Sequence, residues 1–252
     1  MKKKNYRTIF LFGAAVLLLL GSVAGSSQAA LTYYSENYSA QLKMDNIGVT
    51  LIENDDIVSA RNYTGSGDKW DGDPNGELLT GMLGVDEKLI LGKGYEERLS
   101  VRNSGTIEEY VRVMIYRYWE KDGTEGKLTD LSPDFIDLNL LRSQGWVQDM
   151  EASTRERIVL YYTKILPVGA ETPEFSDFLR IDEAVAEAES EGQDGAGLVN
   201  DYDGIRFRLA VDVDAVQTHN AEDAIKSAWG IEVSVNEDGS LNLKGTEVER
   251  DE

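Results

Sequence analysis

The sequence predicts an all-β fold, a jelly-roll-like β-sandwich with two short inserted helices. Apolar and polar residues alternate over about five to ten positions in most of the chain, which is the period of a half-buried strand. About eight such segments follow one another in the 223 residues after the N-terminal leader, separated by turn residues. Many short strands with few helices are typical of a single sandwich domain.

Residues 1–29 have the three-part form of a secretory signal peptide. A basic start precedes an apolar run from Ile9 to Leu20, which is too short to span a bilayer comfortably. Small residues at the −3 and −1 positions predict cleavage between Ala29 and Ala30. An uncleaved anchor is the alternative. We therefore expect a secreted protein, in the extracellular matrix or at the cell surface, with residues 30–252 as one domain and no stable membrane insertion after cleavage.

The strand signal is clearest over residues 205–213. Apolar residues occupy every second position there and charged residues most of the others, so one face is predicted to lie in the core. Tyr110–Trp119 is apolar or aromatic on both faces, which predicts a central strand. The other clear strand segments are Ile47–Leu51, Leu99–Val101, Ile136–Leu140, Ile158–Tyr162, Ile231–Val235 and Leu241–Leu243. The last two flank an Asp-Gly pair, which predicts a hairpin.

Helical periodicity is confined to two places. Ala221–Trp229 carries an apolar stripe at helical spacing, with Asn220 placed to cap its start and Gly230 its end. Asp182–Glu191 predicts a second helix. Its many charges and the glycines that follow predict an acidic surface excursion over residues 182–197.

Composition excludes several classes of function. Without the leader, 21 basic and 46 acidic residues remain, which gives a net charge of −25. Because this negative charge repels phosphate groups, it argues against nucleic acid as a partner. The absence of cysteine excludes disulfides, thiolate metal sites and a cysteine nucleophile. The one histidine, His219, has no hydrolase motif around it and is predicted to be a surface residue. We therefore expect a protein without catalytic activity.

Tyr63–Gly76 is predicted to be a long polar loop, and its end is similar to part of a calcium-binding loop. Asp71, Asp73 and Asn75 place oxygen ligands at alternate positions before a glycine, as in the first half of an EF-hand loop. The twelfth position holds Met82 instead of a bidentate glutamate. A surface turn rich in Asp and Gly is the favoured interpretation. Weak calcium binding is the alternative, and no other cofactor is expected.

The segment Ala30–Ala40 is the predicted assembly strand. It carries Leu31, Tyr33, Tyr34 and Tyr38 between small and polar residues, contains no proline and begins at the amine that cleavage would free. A β-competent strand at a chain end can pair with the exposed edge of another sheet. Pairing within its own subunit, as the first strand of the sandwich, is the alternative.

Several short motifs follow one another along the chain. They are Ala30–Glu36 after the leader, Ile47–Leu51, the Asn103-x-Gly105 turn within Val101–Val113, Tyr161–Pro167, and Ala215–Thr218 with Ala228-Trp229-Gly230. In this order they resemble the TasA/camelysin-type family of secreted proteins. The resemblance implies a jelly-roll subunit that a Gram-positive cell exports, processes and assembles into biofilm fibres. It also implies that the mature N-terminus can be donated as a strand to the next subunit.

We therefore expect a secreted structural subunit of a biofilm matrix fibre or surface layer, with copies of itself and other matrix proteins as partners. Two alternatives stay open. The resemblance reaches camelysin-like metalloproteases, although this chain has no His-Glu-x-x-His motif. Its many aromatic residues, such as Tyr116, Tyr118 and Trp146, would suit a non-catalytic module that binds glycans or matrix proteins. Aromatic residues on strands are more often part of the core.

Overall fold

A computed structural model of the chain describes residues 14–15, 45–63, 70–73, 76–84, 87–121, 126–186 and 205–251. The chain divides into two compact units, Met1–Met44 and Asp45–Glu252. The described strands belong to the second unit, and they form two antiparallel sheets and a separate hairpin. No helix among the described residues is long and apolar enough to cross a membrane.

The first sheet contains six antiparallel strands, and a β-hairpin formed by the first two strands of the chain lies within it. In spatial order the strands are β3 (Trp70–Asp73), β2 (Asp56–Tyr63), β1 (Ile47–Glu53), β4 (Gly94–Asn103), β10 (Ser176–Ile181) and β7 (Ile136–Leu140). Asn54 and Asp55 form the turn between β1 and β2, and both have positive φ. Short polar side chains adopt this conformation more readily than other non-glycine residues, so the hairpin is tight.

The second sheet has a path of five strands. In spatial order they are β11 (Ile205–Gln217), β5 (Glu109–Lys121), β9 (Arg157–Leu166), β8 (Trp146–Asp149) and β14 (Val248–Glu249), with β6 (Lys127–Leu128) also paired to β5. β5 lies between β11 and β9, which confirms the predicted central strand. A separate hairpin, β12 (Glu232–Val235) and β13 (Leu241–Lys244), turns through Gly239 at a φ of 81°.

The chain passes repeatedly from one sheet to the other. The connections from β4 to β5, β7 to β8, β9 to β10 and β10 to β11 all change sheets. Such crossings place the two sheets face to face with their apolar sides inward. The predicted all-β sandwich fold is confirmed.

The space between the sheets is filled by aliphatic and aromatic side chains. Trp146 is 1% exposed and packs against Phe175 and Tyr162, with ring centroids 5.3 and 5.2 Å away. Its indole N–H donates a hydrogen bond to the carbonyl of Pro173 at 2.8 Å. Each fully buried aliphatic or aromatic side chain contributes about 1.5–3 kcal/mol, so this core supplies most of the stabilisation.

A second apolar cluster covers the outer face of the second sheet. Helix α1 (Ala221–Trp229) and the β12–β13 hairpin pack there against Tyr110 and Tyr161. Ile225 of α1 is fully buried, and Trp229 lies 5.4 Å from Tyr161 between ring centroids. This outer layer explains why β5 is apolar on both faces.

The end of the second sheet away from β11 is covered by the C-terminal residues. β14 pairs with β8 through Val248 and Glu249. The guanidinium of Arg142 forms ion pairs with Glu249 at 3.0 Å and with Asp251 at 3.2 Å. The backbone of Asp251 also donates to the carbonyl of Arg142 at 2.9 Å. The C-terminal residues therefore hold this edge of the sheet.

Several local predictions differ from the structure. Asn220 precedes α1 in the left-handed conformation and its side chain makes no capping hydrogen bond, so the predicted side-chain cap is wrong. Gly230 ends the helix at a φ of 77°, as predicted. Only residues 184–186 of the second predicted helix are described as helical, and residues 187–204 lie outside the described residues.

The prediction of a polar loop over Tyr63–Gly76 is wrong at Tyr63, which ends β2, and at Trp70–Asp73, whereas residues 64–69 and 74–75 lie outside the described residues. Trp70–Asp73 forms β3, which pairs with β2 from Tyr63↔Trp70 to Ala60↔Asp73. Backbone pairing with a neighbour decides the conformation there despite a composition that favours turns. The described strands number fourteen instead of about eight, and the six additional strands are β2, β3, β6, β8, β10 and β14. Four of these six, β3, β6, β8 and β14, contain two to four residues and are too short for alternation to reveal them.

Candidate functional site

β11 is an edge strand of the second sheet. It pairs with β5 over its full length, from Ile205↔Lys121 to Gln217↔Glu109, and no other described strand pairs with it. An edge strand presents unpaired N–H and C=O groups at every second residue, so it is a template for a further strand.

The side chains of β11 that face the first sheet are unevenly covered. Val213 and Ala215 are 5% and 6% exposed. The four preceding residues of the same phase contact the core but are only partly buried. They are Ile205, Phe207, Leu209 and Val211. The alternation predicted for this strand is confirmed, and its first half lies where the sandwich is incompletely closed.

A cavity of about 360 Å³ lies between this part of β11 and the first sheet. It is lined by Leu51 of β1, Val58 of β2, residues 76–78 and residues 208–212 of β11, among others. We call this cavity, with the adjoining edge of β11, the seam. Polar and apolar groups both line it, so it suits a peptide segment better than a purely apolar ligand.

One ion pair joins the two sheets beside the seam. Nη2 of Arg61 on β2 lies 3.2 Å from Oδ1 of Asp212 on β11. Their side chains are 24% and 44% exposed, and such a pair contributes at most about 1 kcal/mol. The two sheets are therefore held together only weakly here.

Two glutamates face the core near one end of the first sheet. Glu97 lies on β4 in phase with Leu99 and is 0% exposed, and Glu53 ends β1 in phase with Leu51 and is 8% exposed. The backbone N–H of Leu79 donates to Oε1 of Glu53 at 2.6 Å. No N–H group or hydroxyl among the described residues donates a hydrogen bond to the carboxylate oxygens of Glu97. Burial, together with the nearby charge of Glu53 and a hydrogen bond between the two carboxyls, raises the pKa of Glu97 to about 9.

A third buried glutamate begins β5. Glu109 is 0% exposed, and its Oε2 accepts a hydrogen bond from the N–H of Gly48 at 3.3 Å. Its Oε1 has no partner among the described residues. Burial raises the pKa of Glu109 to about 8, although the hydrogen bond from Gly48 acts in the opposite direction. The carbonyl of Gly48 accepts from the N–H groups of Ser104 and Gly105 at 2.8 and 3.1 Å. The hydrogen bonds of Gly48 with Glu109, Ser104 and Gly105 together fix the start of β1.

Most of the predicted site residues lie outside the described part of the chain. They are Ala29 and Ala30 at the predicted cleavage site, Leu31, Tyr33, Tyr34 and Tyr38 of the predicted assembly strand, and Asn75. Asp71 and Asp73 lie on β3, where their backbone pairs with Asn62 and Ala60 of β2. The predicted calcium site at Asp71, Asp73 and Asn75 therefore stays a prediction.

His219 is exposed, as predicted. Among the described residues, no group of three or more His, Asp or Glu side chains is arranged to hold a metal ion.

Several of the aromatic residues belong to the core, whereas Tyr116 and Tyr118 of β5 are only half-buried. Trp119, Trp146, Tyr161 and Tyr162 are at most 8% exposed and belong to the two apolar clusters. Aromatic rings must present an open face to stack on a sugar. These side chains therefore act in packing.

Sequence reasoning missed the three buried glutamates. The signal was present, because each is an acidic residue in or next to an apolar strand pattern. Glu53 follows Val49 and Leu51 at the next position of the same phase, and Glu97 precedes Leu99 and Val101 in the same way. A charged residue at an inward position indicates either a buried acid or the end of the strand.

Comparisons with protein-family models, curated proteins and solved structures find no match for this chain. Its function therefore has to be inferred from the geometry described above.

Proposed function

We propose that the protein is a secreted structural subunit of an extracellular matrix fibre or surface layer. In this proposal the mature N-terminal segment of one subunit docks as an added strand at the seam of the next. The observation that carries the proposal is an edge strand of 13 residues beside an incompletely covered part of the core. A strand laid there would gain main-chain hydrogen bonds from β11 and apolar contacts from the seam.

The predicted assembly strand has a suitable length and pattern. Eleven extended residues, Ala30–Ala40, span about 36 Å, compared with about 43 Å for the 13 residues of β11. In an extended segment Leu31 and Tyr33 lie on one face, so both can point towards the partly covered side chains of β11. Backbone pairing would supply affinity, and these two side chains would set the register.

Donor and acceptor sites occupy different places on the subunit. The N-terminal segment joins the sandwich at Asp45, close to the contact between Gly48 and Glu109, and Glu109 is paired with Gln217 at the end of β11. Leu209, in the middle of the seam, is eight residues from Gln217, or about 26 Å along the strand. Distinct donor and acceptor surfaces produce head-to-tail contacts, which extend into open chains of subunits when the rotation between neighbours does not close a ring.

The same distances allow the segment to reach the seam of its own subunit. Residues 30–44 extended span about 50 Å, more than the separation from the attachment point to the seam. The deciding experiment must therefore separate pairing between chains from pairing within one chain.

Cysteine cross-linking makes this separation, because the natural chain contains no cysteine. Tyr34→Cys and Ala210→Cys are made in separate mature proteins, which are mixed and oxidised. Ala210 is exposed on the outer face of β11 at the seam, and Tyr34 lies on the face of the extended segment opposite to Leu31 and Tyr33, so the two side chains would share the outer face. We expect a disulfide-linked pair of the two variants, and no link when Tyr34→Cys is mixed with Ser227→Cys on the exposed side of α1. Mixed single variants that remain unlinked, while the double variant closes an internal disulfide, would refute donation between subunits.

Deletion of Leu31–Tyr38 supplies a second test. We expect a folded monomer that forms no fibres in electron micrographs, because the sandwich from Asp45 onward retains its own core. Fibres formed by the truncated protein would contradict the proposal. Circular dichroism shows whether the truncated chain is folded, so a failure to fold is distinguished from a failure to assemble.

A further inference from the structure

We infer that Glu53 and Glu97 form a calcium-binding site at the end of the sandwich. The site is separate from the predicted loop at Asp71–Asn75, and it does not depend on the proposed assembly through the seam. It is carried by a fully buried carboxyl to which no N–H group or hydroxyl of the described residues donates, a second carboxylate beside it, and a cavity that leads from the pair to solvent.

The two strands bring the carboxylates together. β1 and β4 are neighbours in the first sheet, and Glu53 pairs in register with Leu99. Glu97 is two residues before Leu99, on the same face of β4, so both side chains enter the space between the sheets. Two carboxylates placed side by side in the core would repel each other unless a proton or a cation lies between them.

The charge of the pair is not compensated by an ion pair within the described part of the chain, where no lysine or arginine pairs with Glu53 or Glu97. Arg98 is next in sequence, but its guanidinium binds Asp55 at 2.8 Å, Glu96 at 2.7 Å and Glu174 at 3.3 Å. The pair therefore needs a shared proton or a cation from solution to offset its repulsion.

The cavity beside the pair supplies further oxygen atoms. It has a volume of about 360 Å³ and lies between the β1–β2 turn and residues 77–82. Asn54, Asp56 and Thr80 are among its lining residues, and Asp56 and Thr80 are exposed, so its mouth opens to solvent. A cation can therefore reach the buried pair without unfolding of the sandwich.

The chemistry of these groups selects calcium. All the available ligands are oxygens, and calcium accepts six to eight oxygens from carboxylates, amides, carbonyls and water. Zinc prefers nitrogen and sulfur, and magnesium retains most of its water in a small octahedral shell. Since no three acidic side chains among the described residues are arranged to hold a metal ion, neutral oxygens and water would complete the coordination.

Calorimetry with matched variants tests the site in the mature protein at pH 7.5. We expect one saturable calcium site in the wild type, weakened by about tenfold or more in Glu97→Gln, since even indirect metal contacts contribute about 10–100-fold to affinity. Glu96→Gln is the control, because it removes the same charge one residue away from an exposed side chain. We expect its affinity to stay within about twofold of the wild type. Absence of a saturable site, or equal binding by Glu97→Gln, would overturn the proposal.

Glu97→Gln is expected to fold, because burial already favours the neutral form of this carboxyl in the empty protein. A thermal shift measured in parallel should show that calcium raises the Tm of the wild type and of Glu96→Gln but not that of Glu97→Gln. Equal shifts in all three proteins would place the ion elsewhere and refute the assignment.

Terbium luminescence gives a test that does not depend on the glutamate variants. Tyr95 lies two residues from Glu97 on the same face of β4, about 7 Å along the strand, and is 6% exposed. We expect terbium bound at the pair to emit through Tyr95, calcium to displace it, and Tyr95→Phe to reduce the emission while calorimetric calcium binding persists. Emission that calcium does not displace, or that Tyr95→Phe leaves unchanged, would contradict the site.

Discussion

Replacement of Glu109 by glutamine is expected to stabilise the protein at neutral pH and to have little effect below pH 4.5. Burial raises the pKa of Glu109 from 4.5 to about 8. Between these values the unfolded chain loses its proton while the folded protein keeps it. The free energy of unfolding of the wild type therefore falls as the pH rises through this window, by about 1.4 kcal/mol per pH unit.

At pH 7 the free energy of unfolding of the wild type has therefore fallen by about 3 kcal/mol from its value below pH 4.5. Glutamine remains neutral at all these pH values, and its amide oxygen can accept the hydrogen bond that Gly48 donates to Glu109. We therefore expect Glu109→Gln to raise the free energy of unfolding at pH 7 by about 2–3 kcal/mol. The gain should disappear below pH 4.5, where the glutamate is protonated in both states.

Urea unfolding of both proteins from pH 4 to pH 8 measures this difference. Glu108→Gln is the matched control, because Glu108 is adjacent and exposed. The buried carboxyl of Glu97 is present in both proteins, so its own titration cancels in the comparison. A Glu109→Gln variant that is less stable than the wild type at pH 7, or equally shifted at pH 4 and pH 8, would refute the reasoning.

Two further outcomes are expected from the structure. Gly48→Ala should lower the free energy of unfolding by about 1–3 kcal/mol, because a Cβ there would lie 2.8 Å from the backbone nitrogen of Gly105. Thermal unfolding measures the loss, and Gly81→Ala, with no atom within 4 Å of its new Cβ, should show none of this steric cost. Acidification of the mature protein towards the sequence pI of about 4.4 should accelerate assembly, because the repulsion between subunits falls as their net charge falls. Light scattering follows the rate, and the variant without Leu31–Tyr38 separates strand-dependent assembly from isoelectric precipitation; slower or unchanged assembly would count against the charge argument.

The strands that follow the apolar alternation could be predicted, because one side of each faces the core. β11 and β5 show the two forms of this rule. β11 alternates because one face meets the core and the other water, and β5 is apolar on both faces because α1 and the β12–β13 hairpin cover its outer side. The pattern predicted that β5 is central but did not reveal what covers its outer face.

Features that depend on a distant partner could not be predicted. β3 is a strand because β2 offers a backbone to pair with, and the Asp- and Gly-rich sequence of Trp70–Asp73 carries no trace of that neighbour. Asn220 has the right residue type for a cap, but the preceding chain enters α1 with Asn220 in the left-handed conformation. The juxtaposition of Glu53 and Glu97 also arises only when β1 and β4 pair.

The pairing of β14 with β8 has a consequence for the form of any polymer. Within the described residues, the tail of the chain occupies one rim of the second sheet, while the opposite rim, β11, has no further strand. The second sheet is therefore covered at one edge and open at the other. If subunits assemble through β11 as proposed, loss of residues 248–251 would uncover β8 and give this sheet a second open edge, and we expect lateral aggregation in place of fibres.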